Sequence, residues 1–108
     1  MDKRIKKIVS HTDVSEKAIE RYLVCSVRAL GGESLKYSNP GAVGYPDRVC
    51  LLPCGVTLWV ELKGEDGHLA PVQKIRITKL LKLGHNVHVC GSRRDVDEML
   101  KPYEPGAR

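Results

Sequence analysis

The chain has 108 residues, a formal net charge of +5 and a pI near 9.1. This length suits one small domain with a modest core, and no apolar run approaches the roughly 18 residues of a membrane span. The basic balance favours an anionic partner, and no signal peptide is visible. The 4 cysteines show neither a Cys-x-x-Cys pair nor zinc-site spacing, so we predict a reducing, cytoplasmic setting.

The first two predicted elements are a basic arm over residues 1–12 and a helix. The arm is a solvated tail or a DNA-binding segment, and we favour the tail. Asp13 followed by Glu16 is the pattern of a helix N-cap with its reciprocal acid, and two glycines after Leu30 end the helix. Glu20 borders the apolar stripe, where an acid needs a partner, and a surface salt bridge on the same helix is the simplest one. The stripe consists of Ile19, Leu23, Val27 and Leu30.

The next segment, from Glu33 to Tyr45, is polar and rich in turn-forming residues. Leu35–Ser38 within it is compatible with a short edge strand. Small residues and glycines near a site permit close approach of a phosphate backbone. Lys36 is therefore either an ordinary exposed residue or a contact for DNA.

A β-hairpin is predicted where two apolar runs, Arg48–Leu52 and Val56–Leu62, flank the turn-forming Pro53-Cys54-Gly55. Gly55 is third in this loop, a position that needs a left-handed backbone. Both faces of the strands carry apolar residues, which is typical of a sheet covered by helices on both sides. Trp59 is therefore predicted to belong to the core rather than to a base-stacking platform.

The hairpin brings two acids and one lysine to the same patch. With Cys54 at the centre of the turn, Asp47 stands opposite Glu61, and such pairs share a face with Cα atoms roughly 4.5–5.5 Å apart. Lys63 lies two residues beyond Glu61 and projects to that face, unless a bulge shifts the register. Two close carboxylates repel, so they need either an ion pair with Lys63 or a hard cation such as Mg²⁺.

The remaining pattern predicts a second helix, a third long strand and a final helix. Pro71 fits the first position of a helix that ends at Gly84. Its inward stripe consists of Gln73, Ile77, Leu80 and Leu81. Gln73 is the polar member, and its amide needs hydrogen-bond partners when buried. His85–Cys90 is the predicted strand, and Ser92 caps the final helix. Residues 102–108 are expected to form a loose tail.

Two short segments carry a resemblance to a known superfamily. Pro46-Asp47 and Glu61-Leu62-Lys63 resemble the PD-(D/E)xK nuclease signature. The wider surroundings resemble its VRR-NUC branch, the virus-type replication and repair nucleases, through Gly44-Tyr-Pro-Asp-Arg48, Val60-Glu-Leu-Lys63 and Gln73. The order helix, hairpin, helix, strand, helix is similar to the core of that superfamily, over about residues 15–100 of this chain.

The resemblance implies one VRR-NUC-like domain over residues 1–108, with an α/β fold whose small mixed β-sheet is flanked by helices, as in restriction endonucleases. It implies a structure-selective DNA endonuclease that uses Mg²⁺ or Mn²⁺ to hydrolyse phosphodiester bonds in branched DNA such as four-way junctions or flaps. It further implies a homodimer that serves DNA repair in a bacterial or phage-infected cell, without a membrane or a small-molecule cofactor. The alternative is a non-catalytic module of the same fold that binds branched DNA.

The same resemblance assigns roles to individual residues. The catalytic set is Asp47, Glu61, Lys63 and Gln73. The metal would be held by Glu20, Asp47 and Glu61, with a backbone oxygen from Val60 or, as we assign it, Leu62. Glu16 competes with Glu20 for the carboxylate of the first helix, and its predicted capping role makes us prefer Glu20. The predicted DNA contacts are Lys36, Lys74 and Arg93, together with Arg48, which is either a structural residue or a contact for DNA.

Overall fold

The computed structural model describes residues 15–64 and 67–107. The helices of this part of the chain are α1 (Glu16–Ala29), α2 (Pro71–Lys82) and α3 (Arg93–Leu100). Its strands are β1 (Glu33–Lys36), β2 (Arg48–Leu52), β3 (Val56–Leu62) and β4 (Asn86–Cys90). The predicted α/β class, a small mixed sheet flanked by helices, is confirmed. The predicted basic arm lies outside the described residues.

The four strands form one sheet in the order β1-β2-β3-β4. The β1–β2 and β2–β3 pairs are antiparallel, whereas β4 runs parallel to β3. A parallel neighbour requires a crossover connection, and α2 provides it between β3 and β4. In the hairpin, Arg48 pairs with Val60 and Leu52 with Val56, so the predicted register about Cys54 is confirmed.

The hairpin loop has two consecutive residues in the left-handed backbone region. Gly55 has φ 75°, as predicted for the third loop position, and Cys54 also has φ 67°. A non-glycine residue in this region costs about 1–2 kcal/mol, because its Cβ approaches the neighbouring carbonyl oxygen. The loop therefore holds the register at a local cost that the strands on either side must offset.

The first helix begins later than its sequence pattern indicates. Its N-cap is Ser15, whose Oγ accepts a hydrogen bond from Ala18 N at 3.2 Å. The prediction of Asp13 as the cap is therefore wrong, and Asp13 itself lies outside the described residues. Glu16 consequently has no role as the reciprocal acid of an Asp13 cap. The predicted stripe is confirmed, because its first three members are fully buried: Ile19, Leu23 and Val27.

One face of the sheet carries the core, beneath α1 and α3. The cluster joins alternate residues of the strands to apolar residues of both helices: Ile19, Leu23, Val27, Cys50, Leu52, Leu58, Val60, Leu62, Cys90, Val96, Met99 and Leu100. The other face is covered only in part, since Leu35, Leu51 and Val89 each remain about 40% exposed. Gln73 of α2 contacts Glu61 on this second face, so helices flank both faces as predicted. The prediction that Leu81 points inward from α2 is wrong, because it is 53% exposed.

Three boundaries differ from the sequence predictions. The edge strand lies at Glu33–Lys36 rather than Leu35–Ser38, and β4 starts at Asn86, one residue later than expected. The predicted loose tail is packed at its start, because Lys101–Tyr103 forms a 3-10 turn and Tyr103 packs against the core. Among the described residues, no helix combines the length and apolar character needed to cross a membrane.

Candidate active site

The two predicted acids lie at the same end of neighbouring strands. Asp47 immediately precedes β2, and the hairpin register places it beside Glu61 near the end of β3. Asp47 Oδ1 accepts a hydrogen bond from Leu62 N at 3.4 Å. The backbone oxygen of Asp47 accepts another from Tyr37 N at 2.8 Å. Main-chain N–H groups therefore hold both the carboxylate and the backbone of Asp47.

Glu61 is held by the other two predicted catalytic side chains. Its residue is only 3% exposed, and its Oε2 lies 3.4 Å from Lys63 Nζ and 3.1 Å from Gln73 Nε2. Lys63 thus makes the ion pair that the sequence pattern allowed. Both contacts fall on the same carboxylate oxygen, so the site brings together an acid, an ammonium group and an amide donor.

The orientation of the Gln73 amide follows from its second partner. Gln73 Oε1 accepts a hydrogen bond from Ala70 N at 2.9 Å, at the N-terminus of α2. A backbone N–H can only donate, so the amide oxygen must face Ala70 and the NH₂ group must face Glu61. Gln73 therefore couples the first turn of α2 to the buried acid, which accounts for the polar member of the α2 stripe.

Burial and mutual repulsion leave both acids less acidic than usual. Burial is the main cause that raises the pKa of Asp47, and nearby Glu16 raises it further. The hydrogen bond from Leu62 N–H lowers this pKa but does not reverse the direction. Burial also raises the pKa of Glu61, as does Asp47, while Lys63 lowers it without reversing the direction. A positive charge placed between the two carboxylates would relieve this repulsion.

The donor set fits a hard divalent cation. Asp47, Glu61 and the backbone at Leu62 offer oxygen only, the ligand type that Mg²⁺ and Mn²⁺ prefer. Within residues 15–64 and 67–107, no three acidic, histidine or cysteine side chains converge as a ready-made metal cluster. Mg²⁺ tolerates such an incomplete set, because it usually keeps several waters and binds through one or two carboxylates.

The two acids on α1 have different surroundings. Glu20 Oε2 lies 3.5 Å from Arg48 Nη1, so its partner is a strand residue rather than a base on its own helix. Glu16 lies one turn earlier and raises the pKa of both Asp47 and Glu61, whereas Glu20 acts only on Asp47 and as its smallest cause. The sequence alone keeps Glu16 as the competitor of Glu20 for the carboxylate of the first helix.

A cleft of about 410 Å³ adjoins the carboxylates, with three acids and two lysines in its lining: Glu16, Lys17, Glu20, Lys36, Asp47 and Leu62. Lys36 was predicted as a DNA contact and lies at this cleft. Lys17 was not predicted as a DNA contact, because the only signal in the sequence is its position one residue after Glu16. The cleft therefore offers both cation-binding and phosphate-binding groups.

The other predicted DNA contacts lie elsewhere. Arg48 is 8% exposed and donates through Nε to Ser34 Oγ at 3.1 Å, so its guanidinium is engaged inside the protein. Burial argues against a DNA contact for this residue. Lys74 lies in a separate groove of about 480 Å³ along α2, and the lining of this groove contains no acidic residue. Arg93 is exposed on α3 and lies 5.2 Å over the ring of Tyr22.

We expect Asp47→Asn to make the metal-free protein more stable than wild type at pH 7. The folded state raises the pKa of Asp47 above its ordinary value of 3.8, so it holds this proton more tightly than the unfolded chain does. The group therefore favours folding most below about pH 4, and the contribution is lost as pH rises through the folded pKa. Urea denaturation in EDTA at pH 4 and 7 measures this difference, which should grow as pH rises through the folded pKa of Asp47. A variant that is less stable than wild type at both pH values would contradict the prediction.

A half-buried Asp and a Glu-x-Lys on an antiparallel hairpin, followed by a crossover helix and a parallel strand, define the PD-(D/E)xK class of nuclease. No family model matches the chain. The chain is 39% identical over 80 residues to "Putative nuclease p44" of Acyrthosiphon pisum secondary endosymbiont phage 1, across 74% of this chain and 86% of that protein. A solved structure described as a VRR_NUC domain matches with a TM-score of 0.76 and 36% identity, over 82% of this chain and 97% of the other. The chain belongs to the VRR-NUC family of nucleases.

Proposed function

We propose that this nuclease is a divalent-metal-dependent, structure-selective DNA endonuclease that hydrolyses phosphodiester bonds in branched DNA. The observation that carries the proposal is the convergence of Asp47 and Glu61, both with a raised pKa, beside Lys63 and a lysine-lined cleft. Buried acids that repel one another favour a cation, and a cation between acids and phosphate supports hydrolysis. The phage origin of the relative supports action in the cytoplasm of a bacterial or phage-infected cell, on replication or repair intermediates.

Asp47 and Glu61 would hold Mg²⁺ or Mn²⁺, with a backbone oxygen at Leu62. When bound, the ion would supply positive charge next to the phosphate and acidify a water. Lys63 Nζ, 3.4 Å from Glu61, is placed to orient that water, take its proton or hold a phosphate oxygen. Gln73 keeps the Glu61 carboxylate in place through its amide NH₂ and lies close enough to contact water or phosphate.

The third carboxylate would come from α1. Sequence matching assigned Glu20 to this role, but its contact with the buried Arg48 uses that acid for structure. Glu16 acts on both site acids and is exposed, so we favour it as the ligand from α1. Lys36 and Lys17 in the cleft, with Lys74 and Arg93 on the two other helices, would contact DNA phosphates.

We further propose that the chain acts as a homodimer, because a domain of this size has little surface to grip DNA on both sides of a cut. Three of its most exposed apolar side chains lie on α2 or directly around it: Val43, Ile75 and Leu83, at 62–65% exposure. Two sites related by a twofold axis would cut both strands of a branched substrate. Sedimentation at working concentration measures the mass, and a strict monomer would count against this part of the proposal.

The test is cleavage of flaps, splayed arms, four-way junctions and linear duplex with Mg²⁺ or Mn²⁺. We expect branched substrates to be cut at least about tenfold faster than duplex, and EDTA to abolish cutting. Asp47→Ala prepared in parallel excludes a contaminating nuclease, and equal cleavage by both proteins would remove the assignment. Binding of branched DNA without cleavage under any metal would favour the non-catalytic alternative.

A further inference from the structure

A second surface cavity, here called the loop pocket, lies next to the carboxylates on the segment that precedes β2. Its volume is about 300 Å³, enough for one nucleobase, and its lining comes from one stretch of chain: Tyr37, Ser38, Asn39, Pro40, Ala42, Val43, Gly44 and Tyr45. None of these side chains has a role in the metal site described above. The pocket therefore needs an explanation of its own.

Two tyrosines form an aromatic corner in this pocket. The Tyr37 and Tyr45 ring centroids lie 6.2 Å apart at an interplanar angle of 81°. Trp59 lies behind them, with its centroid 5.0 Å from Tyr37 and 6.5 Å from Tyr45. The Trp59 ring thus supports the two tyrosines from the sheet, as the predicted core position requires. A flat ligand in this corner would meet aromatic surface on two sides.

The wall of the pocket is fixed to α2. Arg76 Nε donates to Val43 O at 3.0 Å, and its guanidinium carbon lies 5.2 Å over the Tyr45 ring. Gly44 has φ +101° and lies so close to α2 that a Cβ there would come within 2.9 Å of Val72 Cγ2. The cavity is therefore formed before a ligand enters, which lowers the entropy cost of binding.

Polar groups line the edge of the same corner. Asn39 Nδ2 donates to the Tyr37 hydroxyl at 3.1 Å. The hydroxyl accepts this bond and keeps its own proton for donation, while the Asn39 amide oxygen remains an acceptor. The Ser38 hydroxyl adds a group that can do either. Aromatic surface bordered by donors and acceptors is the combination with which proteins bind unpaired bases.

The loop pocket lies one strand away from the acids. Tyr37 N donates to Asp47 O at 2.8 Å, which continues the β1–β2 ladder by one pair. Neighbouring strands are about 4.8 Å apart, and directly opposed residues share a face, so the Tyr37 side chain lies on the same face as Asp47. Lys36 lines the carboxylate cleft and Tyr37 lines the loop pocket, so consecutive residues connect the two cavities. A DNA strand with one phosphate at the cleft would have an adjacent base within reach of the tyrosines.

We propose that the loop pocket binds an unpaired nucleobase next to the phosphate that is cut, an inference that rests on the proposed nuclease function. A base within a duplex would first have to leave its stack and its partner, whereas a base at a flap or junction has already lost them. The pocket thereby selects which DNA structures are cut, because it favours cleavage where the neighbouring base is unpaired.

The experiment replaces one nucleotide at a time with an abasic residue around the cut in a flap substrate. We expect one position, adjacent to the cut, to slow wild-type cleavage by about 5- to 100-fold, the range found for loss of one base–aromatic stack. Asn39→Ala and Tyr37→Leu should cut the intact flap more slowly and lose most of this sensitivity. Asn86→Ala, at the opposite end of the sheet, is the matched control and should behave as wild type. Equal cleavage of every abasic substrate by wild type would overturn the proposal.

A second measurement does not depend on cleavage. Single-stranded oligothymidylate with one 2-aminopurine is titrated with wild type and Tyr37→Leu in EDTA, after thermal melting confirms that both are folded. We expect wild type to quench the fluorescent base and Tyr37→Leu to quench it several-fold less. Equal quenching would overturn the base pocket while leaving the nuclease proposal intact. Quenching by a wild-type protein that cuts no substrate would instead refute the nuclease proposal and retain the pocket.

Discussion

Glu61→Gln is expected to lower the rate of metal-dependent cleavage by roughly a thousandfold, equivalent to about 4 kcal/mol of transition-state stabilisation. The amide is nearly the same size but carries no charge to hold a cation. Its single oxygen would accept from Gln73 and Lys63 in place of Glu61 Oε2, which leaves an NH₂ donor at the position of Oε1, where a cation would need an oxygen. Single-turnover cleavage of a flap with Mn²⁺ measures the loss.

The matched control is Glu98→Gln, which makes the same chemical change on the surface. Glu98 pairs with Arg94 at 3.2 Å, and both side chains are largely exposed, so the pair contributes little. We expect this variant to cut at the wild-type rate. Thermal melting separates a chemical effect of Glu61→Gln from unfolding. A folded Glu61→Gln protein that keeps more than a tenth of the activity would contradict the role of this acid.

The two acids of α1 are expected to give opposite phenotypes. Glu20→Gln should destabilise the protein by about 3 kcal/mol, because it leaves the 8%-exposed Arg48 without its carboxylate. This is the low end for a broken buried pair, since the Glu20 side chain is itself 28% exposed. Glu16→Gln should leave stability nearly unchanged, because Glu16 is exposed, and it should weaken Mn²⁺ binding about tenfold or more. Urea denaturation and calorimetric titration with Mn²⁺ measure the two quantities separately.

A double variant tests why Glu20 is present. Arg48→Met with Glu20→Gln removes both charges and should recover part of the stability that Glu20→Gln alone loses, because no buried charge is left unpaired. If Glu20→Gln weakened Mn²⁺ binding while stability stayed at the wild-type value, Glu20 would be the metal ligand and Glu16 would not. That result would restore the assignment made from the sequence alone.

Local patterns were sufficient for much of the fold and for the central pair of acids. A three-residue loop centred on Cys54 determines which residues of a hairpin face each other, so Asp47 and Glu61 could be placed opposite one another from the sequence. Pro71 and Ser92 begin their helices as predicted, since these signals act within one turn. The Gln73 amide also has the hydrogen-bond partners that were expected for a polar group in this stripe, Ala70 N and Glu61 Oε2.

Contacts between distant parts of the chain decided the rest. Glu20 pairs with Arg48, 28 residues further along, and no pattern on the helix reveals that partner. Tyr103 packs on the core and Leu81 does not, because the position of each helix on the sheet determines which side chains are covered. The loop pocket likewise exists only because Arg76 and Val72 of α2 hold a loop some thirty residues earlier in the chain. Sequence by itself determined the elements and the hairpin register, which depend on neighbours along the chain. Tertiary structure alone decided which partner each acid of α1 has and where the aromatic loop pocket forms, because those depend on neighbours in space.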